Sequence, residues 1–149
     1  MKSLFDPAAA EELKERMARL TPETQRQWGK MAPAQMLAHC SAAMEVAVGD
    51  KVMRQVLVGR VFGGMAKAKM LSGKPMSHNL PTDKAYLVKD DRDLNAERQR
   101  LAVLIDRFQT GGPEQCTKHP HSFFGTMTPD DWSALNYIHL DHHLKQFGV

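Results

Sequence analysis

The sequence predicts an all-α fold, a bundle of four or five helices around one core. Three observations predict it. Apolar or small residues recur at helical spacing in several segments, such as Met36, Cys40, Ala43 and Ala47 in one and Leu94, Leu101, Leu104, Ile105 and Phe108 in another. No run alternates apolar and polar residues strictly enough for a half-buried strand. The chain also carries 10 methionines, flexible side chains suited to irregular gaps between helices.

Taken in order, Asp6-Pro7 reads as an N-cap followed by proline at the first helical position, and a charged helix follows to Leu20. Thr21-Pro22 is a second cap-like pair. The segment Pro33 to Val48 carries the clearest periodicity, with His39 on the apolar stripe and Gly49 as the stop. Ala32 stands where a Ser or Thr cap is expected before Pro33. Residues 51–71 read as an apolar, basic helix, interrupted near Gly63-Gly64. Residues 72–90 hold Gly73, Pro75, Asn79, Pro81 and Asp83 and form a long loop, of the kind that often covers a site. Asp91 or Asp93 caps a helix to about Thr110, which Gly111-Gly112 stops, and a second loop fills 111–127. Thr128-Pro129-Asp130-Asp131 opens the last helix, with Asp131 in the capping-box position, and Phe147-Gly148 ends it.

The chain has 149 residues, a size that builds one domain with one sizeable core. A hydrophobic fraction of 42% with 25% charged residues excludes a disordered chain. The net charge of +3 is mild, and acids are mixed among bases almost everywhere. One stretch departs from this, where Lys51, Arg54, Arg60, Lys67, Lys69 and Lys74 follow Asp50. A solvated face is the ordinary reading, and an anion- or nucleic-acid-binding patch the rival. Two distant cysteines, Cys40 and Cys116, do not make a disulfide scaffold. With no signal-like N-terminus and no membrane-spanning run, a cytoplasmic protein without membrane or nucleic-acid partners is expected.

The residues that carry chemistry are histidines. His139 and His143 are four apart on the last helix, so both side chains lie on one face a turn apart. Two imidazoles so placed can share one metal ion. That spacing alone is a weak signal, but His39 sits on the core stripe of another helix and aims a third imidazole at the same core. Three neutral imidazoles suit Zn, Ni, Fe or Cu. Three protein ligands leave a position open for water or a substrate thiolate, the pattern of catalytic rather than structural sites.

At these residues the chain resembles the DinB/YfiT-like superfamily of metal-binding four-helix bundles, whose pattern is one His on the second helix and H-x-x-x-H on the last. Here these are His39 in QMLAHC and His139 and His143 in YIHLDHHLKQFGV. More narrowly it is similar to an uncharacterised DinB-like branch through Trp28-Gly29-Lys30-Met31, Gln35-Met36, His119-Pro120 and Phe123-Phe124-Gly125. The likeness runs from about Leu20 to the C-terminus and is weakest over 50–90. It implies a DinB-like bundle with long inter-helix loops, a three-histidine site for a divalent ion (zinc or nickel), and a homodimer. Some relatives transfer low-molecular-weight thiols or isomerise thiol adducts, so the implied activity is thiol transfer or metal-assisted hydrolysis on a small-molecule substrate.

Other candidates stand beside this trio. His142 is three residues after His139 and competes with His143 as a ligand; otherwise it serves as an acid/base group or lies at the surface. His121 in the loop before the last helix is a second proton-transfer candidate, and His119 shares that loop. Asp141 reads as a surface acid, Cys40 as a small core residue, and Cys116 as incidental in its loop. Gln35 and Gln146 lie one turn from ligands and can hydrogen-bond an imidazole or a water. The rival to an enzyme is a non-catalytic bundle acting as a binding or stress-associated module.

Overall fold

Local capping chemistry sets most of the helix starts. The structure is a computed structural model that describes residues 2–149. Asp6 accepts from the Ala8 N–H at 2.9 Å and opens α1 (Pro7–Ala18). α2 (Pro33–Ala47) starts at Ala32 without a side-chain cap from that residue. Gln35 compensates, its Oε1 accepting from the Ala32 N–H at 2.9 Å. Asp93, not Asp91, caps α4 (Leu94–Gln115) by accepting from the Ala96 N–H at 2.7 Å. Thr128 and Asp131 form the expected capping box of α5 (Pro129–Gln146), with reciprocal bonds of 3.1 and 3.0 Å.

α1, α2, α4 and α5 pack around one core. Leu13 and Met17 of α1, Leu37 and Met44 of α2, Leu101 and Ile105 of α4, and Leu140 and Leu144 of α5 are all fully or almost fully buried in it. At about 25 cal/mol per Å2 of apolar area removed from water, this shared burial is the main force holding the helices together. The fold is all-helical among the described residues; a lone bridge between His121 and Gly125 is the one extended pairing.

Four expectations change. Thr21-Pro22 starts no helix: Thr24 folds back, its N–H donating to the Thr21 carbonyl at 3.1 Å and its Oγ1 accepting from the Thr21 N–H at 2.8 Å. That local bonding competes with helix. α3 spans Leu57–Met70, starting six residues later than Lys51, because the Val56 N–H is taken by the Ser122 carbonyl at 2.8 Å. The Gly63-Gly64 pair does not break it. Gly59 and Gly63 instead let α3 lie directly on the 121–125 loop, since a Cβ at Gly63 would fall 2.2 Å from the Phe123 carbonyl oxygen. In α4 the backbone does turn at Gly112, with φ 60° and ψ −164°, but Pro113 restarts a last turn to Gln115. Cys116 consequently ends that turn buried, at 6% exposure, rather than lying in an open loop.

Gly63→Ala should lower stability by about 1–3 kcal/mol, because the clash is with backbone that has little room to give. Urea unfolding followed by circular dichroism measures it, with Gly64→Ala, where a Cβ meets nothing within 4 Å, as the clash-free control that should gain up to about 1 kcal/mol.

Candidate metal centre

α2 and α5 cross with His39, His139 and His143 on their facing surfaces. One ligand-capable nitrogen from each lies within 4.8 Å of the others. The rings are centred 4.7 to 4.9 Å apart. His39 and His143 are buried, and His139 keeps a partly exposed edge. His143, not His142, is therefore the α5 partner of His139: one full turn brings it under His139, while His142 turns aside towards Trp28.

The outer nitrogens explain how the rings are held. His39 Nδ1–H donates to the Tyr86 carbonyl at 2.8 Å, and His143 Nδ1–H donates to Gln146 Oε1 at 2.9 Å. With Nδ1 protonated, each ring turns an Nε2 lone pair inward. His39 Nε2 and His139 Nε2 stand 2.9 Å apart. Such a pair needs either a shared proton or a cation between the lone pairs. Three converging nitrogens, on rings of which His39 and His143 have their outer N–H groups oriented, would fit a divalent metal ion.

Electrostatics favour the ligating, neutral form. Burial lowers the pKa of His39, opposed by the Tyr86 carbonyl. Burial also pushes His143 down to about 3, helped by His39 and opposed by Gln146. His139 is held well below its ordinary value by burial and then by repulsion from His143, His39, His142 and His121. Neutral imidazole is the form that binds metal.

The supporting residues come from distant segments. Gln146 Nε2–H donates to the Trp28 carbonyl at 2.8 Å, and the Gln27 N–H donates to the Gln146 carbonyl at 2.7 Å. Gly29, at φ 79°, lets the chain pass here, since a Cβ would meet Gln146 Nε2 at 2.3 Å. The Trp28-Gly29 pair thus orients a histidine through Gln146. Gln35 does not act this way; its amide caps α2 and donates to the Asp90 carbonyl at 3.2 Å. Asp141 pairs with Arg16 and Lys145 at 2.8 and 2.7 Å and stays out of the centre. Cys40 is a core thiol, raised far above its usual range by burial, with its sulfur against Met36. Cys116 is likewise pushed up by burial, to about 11.

Further histidines lie around the centre. His142 is half-buried, its ring 5.2 Å from that of His143, and its pKa is lowered by burial and then by His78. His78 stacks on Trp28 at 3.8 Å, with His142 beside both at 5.8 and 5.4 Å. His121 sits in its own turn, Nδ1 accepting from the Phe123 and Phe124 N–H groups at 3.0 and 3.2 Å. Its ordinary pKa falls to about 4 through burial. The neutral ring therefore carries its proton on Nε2. His119 is exposed. The 72–90 loop does reach the site, through Tyr86 and His78. The role of Tyr86 had no signal in the sequence, because it acts through its backbone carbonyl. His78 had no helical register to place it.

A family described as "Protein of unknown function (DUF1569)" matches residues 3–148. The chain belongs to this family. The DUF1569 region contains the three histidines, Trp28, Tyr86 and Gln146, so the whole centre lies inside it. No curated protein and no solved structure matches the chain.

Gln146→Leu should weaken metal binding by about 10–100-fold without removing a ligand, because the His143 N–H loses its acceptor. Competitive chelator titration reads this directly. The metal-free protein should also lose stability as pH falls from 6.5 towards 4. The unfolded chain takes up protons near 6.5, whereas folded His121 and His143 resist them down to about 4 and 3. Thermal unfolding of chelator-stripped protein at about pH 7.5 and about pH 5 checks the sign, with the lower Tm expected at the lower pH.

Proposed function

We propose that this protein is a metal-dependent enzyme in which His39, His139 and His143 hold one divalent ion, zinc or nickel. The observation that carries the reading is the trio itself: three inward imidazoles with no Cys, Asp or Glu joining the cluster among the described residues. Such a donor set suits a borderline-soft ion and leaves coordination open to a small molecule. A bound ion of this kind supplies Lewis acidity that lowers the pKa of a thiol or water.

The remaining work falls to the chain's own residues. His142, neutral at pH 7 because burial lowers its pKa, accepts the proton of the entering thiol or water. The freed sulfur or oxygen lone pair forms the new bond to the substrate's electrophilic carbon. The old bond breaks, and the leaving group takes back the proton that His142 accepted, or one from solvent. His121, the other proton-transfer candidate of the sequence, is neutral with its Nδ1 lone pair held by two backbone N–H groups and has no acidic proton to give. Trp28 and His78 stack beside His142. Thiol transfer is placed ahead of hydrolysis because the sequence resembles the DinB/YfiT-like superfamily, where thiol chemistry recurs. The same resemblance supports a homodimer.

Elemental analysis of the untagged protein should find about one equivalent of zinc or nickel, lost in His139→Ala and His143→Ala. A screen of low-molecular-weight thiols against electrophilic acceptors should then show turnover that falls by about 10²–10⁴-fold in His142→Ala while the metal stays bound. A metal-free parent that takes up no divalent ion on incubation would end the proposal. Metal retained with no thiol or hydrolytic turnover would favour the binding module.

A further inference from the structure

The basic stretch singled out in the sequence has a structural feature that a solvated face lacks. α3 is turned the wrong way round for a surface helix. Gly59 and Gly63 face inward on the Phe123 carbonyl. The opposite arc carries Leu57, Val61 and Met65 at successive turns, exposed by 75%, 73% and 70%, with Val58 and Phe62 beside them at 59% and 53%. An ordinary surface helix turns this stripe to the core and its charges to water. Val52 and Val56 extend the patch in front of the helix, at 56% and 42% exposure. Isolated exposed apolar residues are commonplace, but a contiguous patch marks a contact surface.

Charge says what covers it. Residues 51–82 hold six cations and no carboxylate. Arg54, Arg60, Lys69 and Lys74 are exposed around the apolar arc. Lys67 is occupied by Asp131 and the Thr126 carbonyl. A second copy placed here would set cations against cations with no acid in the segment to pair them. A nucleic acid would meet the bases but gain nothing from Leu57, Val61 and Met65 at the centre of the face. A bilayer surface with anionic headgroups takes both, the apolar arc into the headgroup–acyl boundary and the bases among the phosphates.

We propose that α3 docks this protein in the plane of an anionic membrane surface. The 14-residue helix is about 21 Å long. No helix among the described residues is long and apolar enough to cross a membrane, so the contact is peripheral. The inference is independent of the proposed chemistry at the histidine centre.

Co-sedimentation of the full chain with vesicles tests it. The vesicles are phosphatidylcholine alone, or roughly three parts phosphatidylcholine to one of phosphatidylserine. The parent should pellet with the serine-containing vesicles at about 0.1 M salt and much less at about 1 M, where screening shortens the Debye length from about 10 to about 3 Å. V61D/M65D should reduce partitioning at least about tenfold. R60Q/K69Q should reduce it on anionic vesicles and leave the weak binding to phosphatidylcholine unchanged. Unaltered helical circular dichroism and an unaltered thermal midpoint would show that both variants fold. Equal partitioning of parent and V61D/M65D overturns the proposal, as does no preference for anionic vesicles. A parent that sediments as a dimer, turns monomeric in V61D/M65D and ignores vesicles also overturns it, assigning the face to a second copy.

Discussion

The rest of the structure depends on keeping three imidazoles neutral and oriented at the crossing of α2 and α5. Burying imidazoles is costly unless their nitrogens are satisfied. Two of the three outer N–H groups are satisfied by the Tyr86 carbonyl and the Gln146 amide. The inner nitrogens converge, His39 and His139 to 2.9 Å. In an apolar bundle this concentration of polar atoms makes sense as a place for a cation. It also sets demands elsewhere, because each orienting group must be brought in from another part of the chain.

The supporting loops answer those demands. The 27–29 segment anchors Gln146 from its carbonyl and amide sides, and Gly29 makes room for that approach. The 83–86 turn, capped by Asp83 accepting from the Ala85 N–H at 2.9 Å, delivers the Tyr86 carbonyl to His39. The 121–125 turn holds His121 by two backbone N–H groups and is braced by α3. Residues that look remote in sequence are thus joined mechanically to one centre. The DUF1569 match, running from residue 3 to 148, covers all of these parts as one unit.

α3 shows a second constraint. A helix that packs by glycine has given up its own apolar stripe as a means of attachment. It is held through close backbone approach, the Val56 N–H to Ser122 bond and Lys67, while its larger side chains face outward. A sequence reading based on periodicity assigns such a stripe to the core, because helical spacing carries no sign for inside and outside. Glycine at one-turn intervals on the opposite arc is the feature that reverses the assignment.

The sequence left Asp91 beside Asp93 and His142 beside His143 as alternatives, but by itself determined the helical class, the caps at Asp6 and Thr128, the turn at Gly112 and the placing of His139 and a second α5 histidine on one face. All of these follow from interactions within a few residues, where helical geometry leaves little choice. It also made His39 the third partner, because a histidine on an apolar stripe must find company in the core. Only the tertiary structure decided what holds the outer nitrogens, since a backbone carbonyl such as that of Tyr86 has no residue-type signature. Only it separated Gln146, which orients His143, from Gln35, which caps a helix, although both lie one turn from a ligand. It alone placed His78 on Trp28 and turned the face of α3 outward. Those outcomes rest on contacts between segments tens of residues apart, and no local pattern in the chain encodes which distant group will arrive.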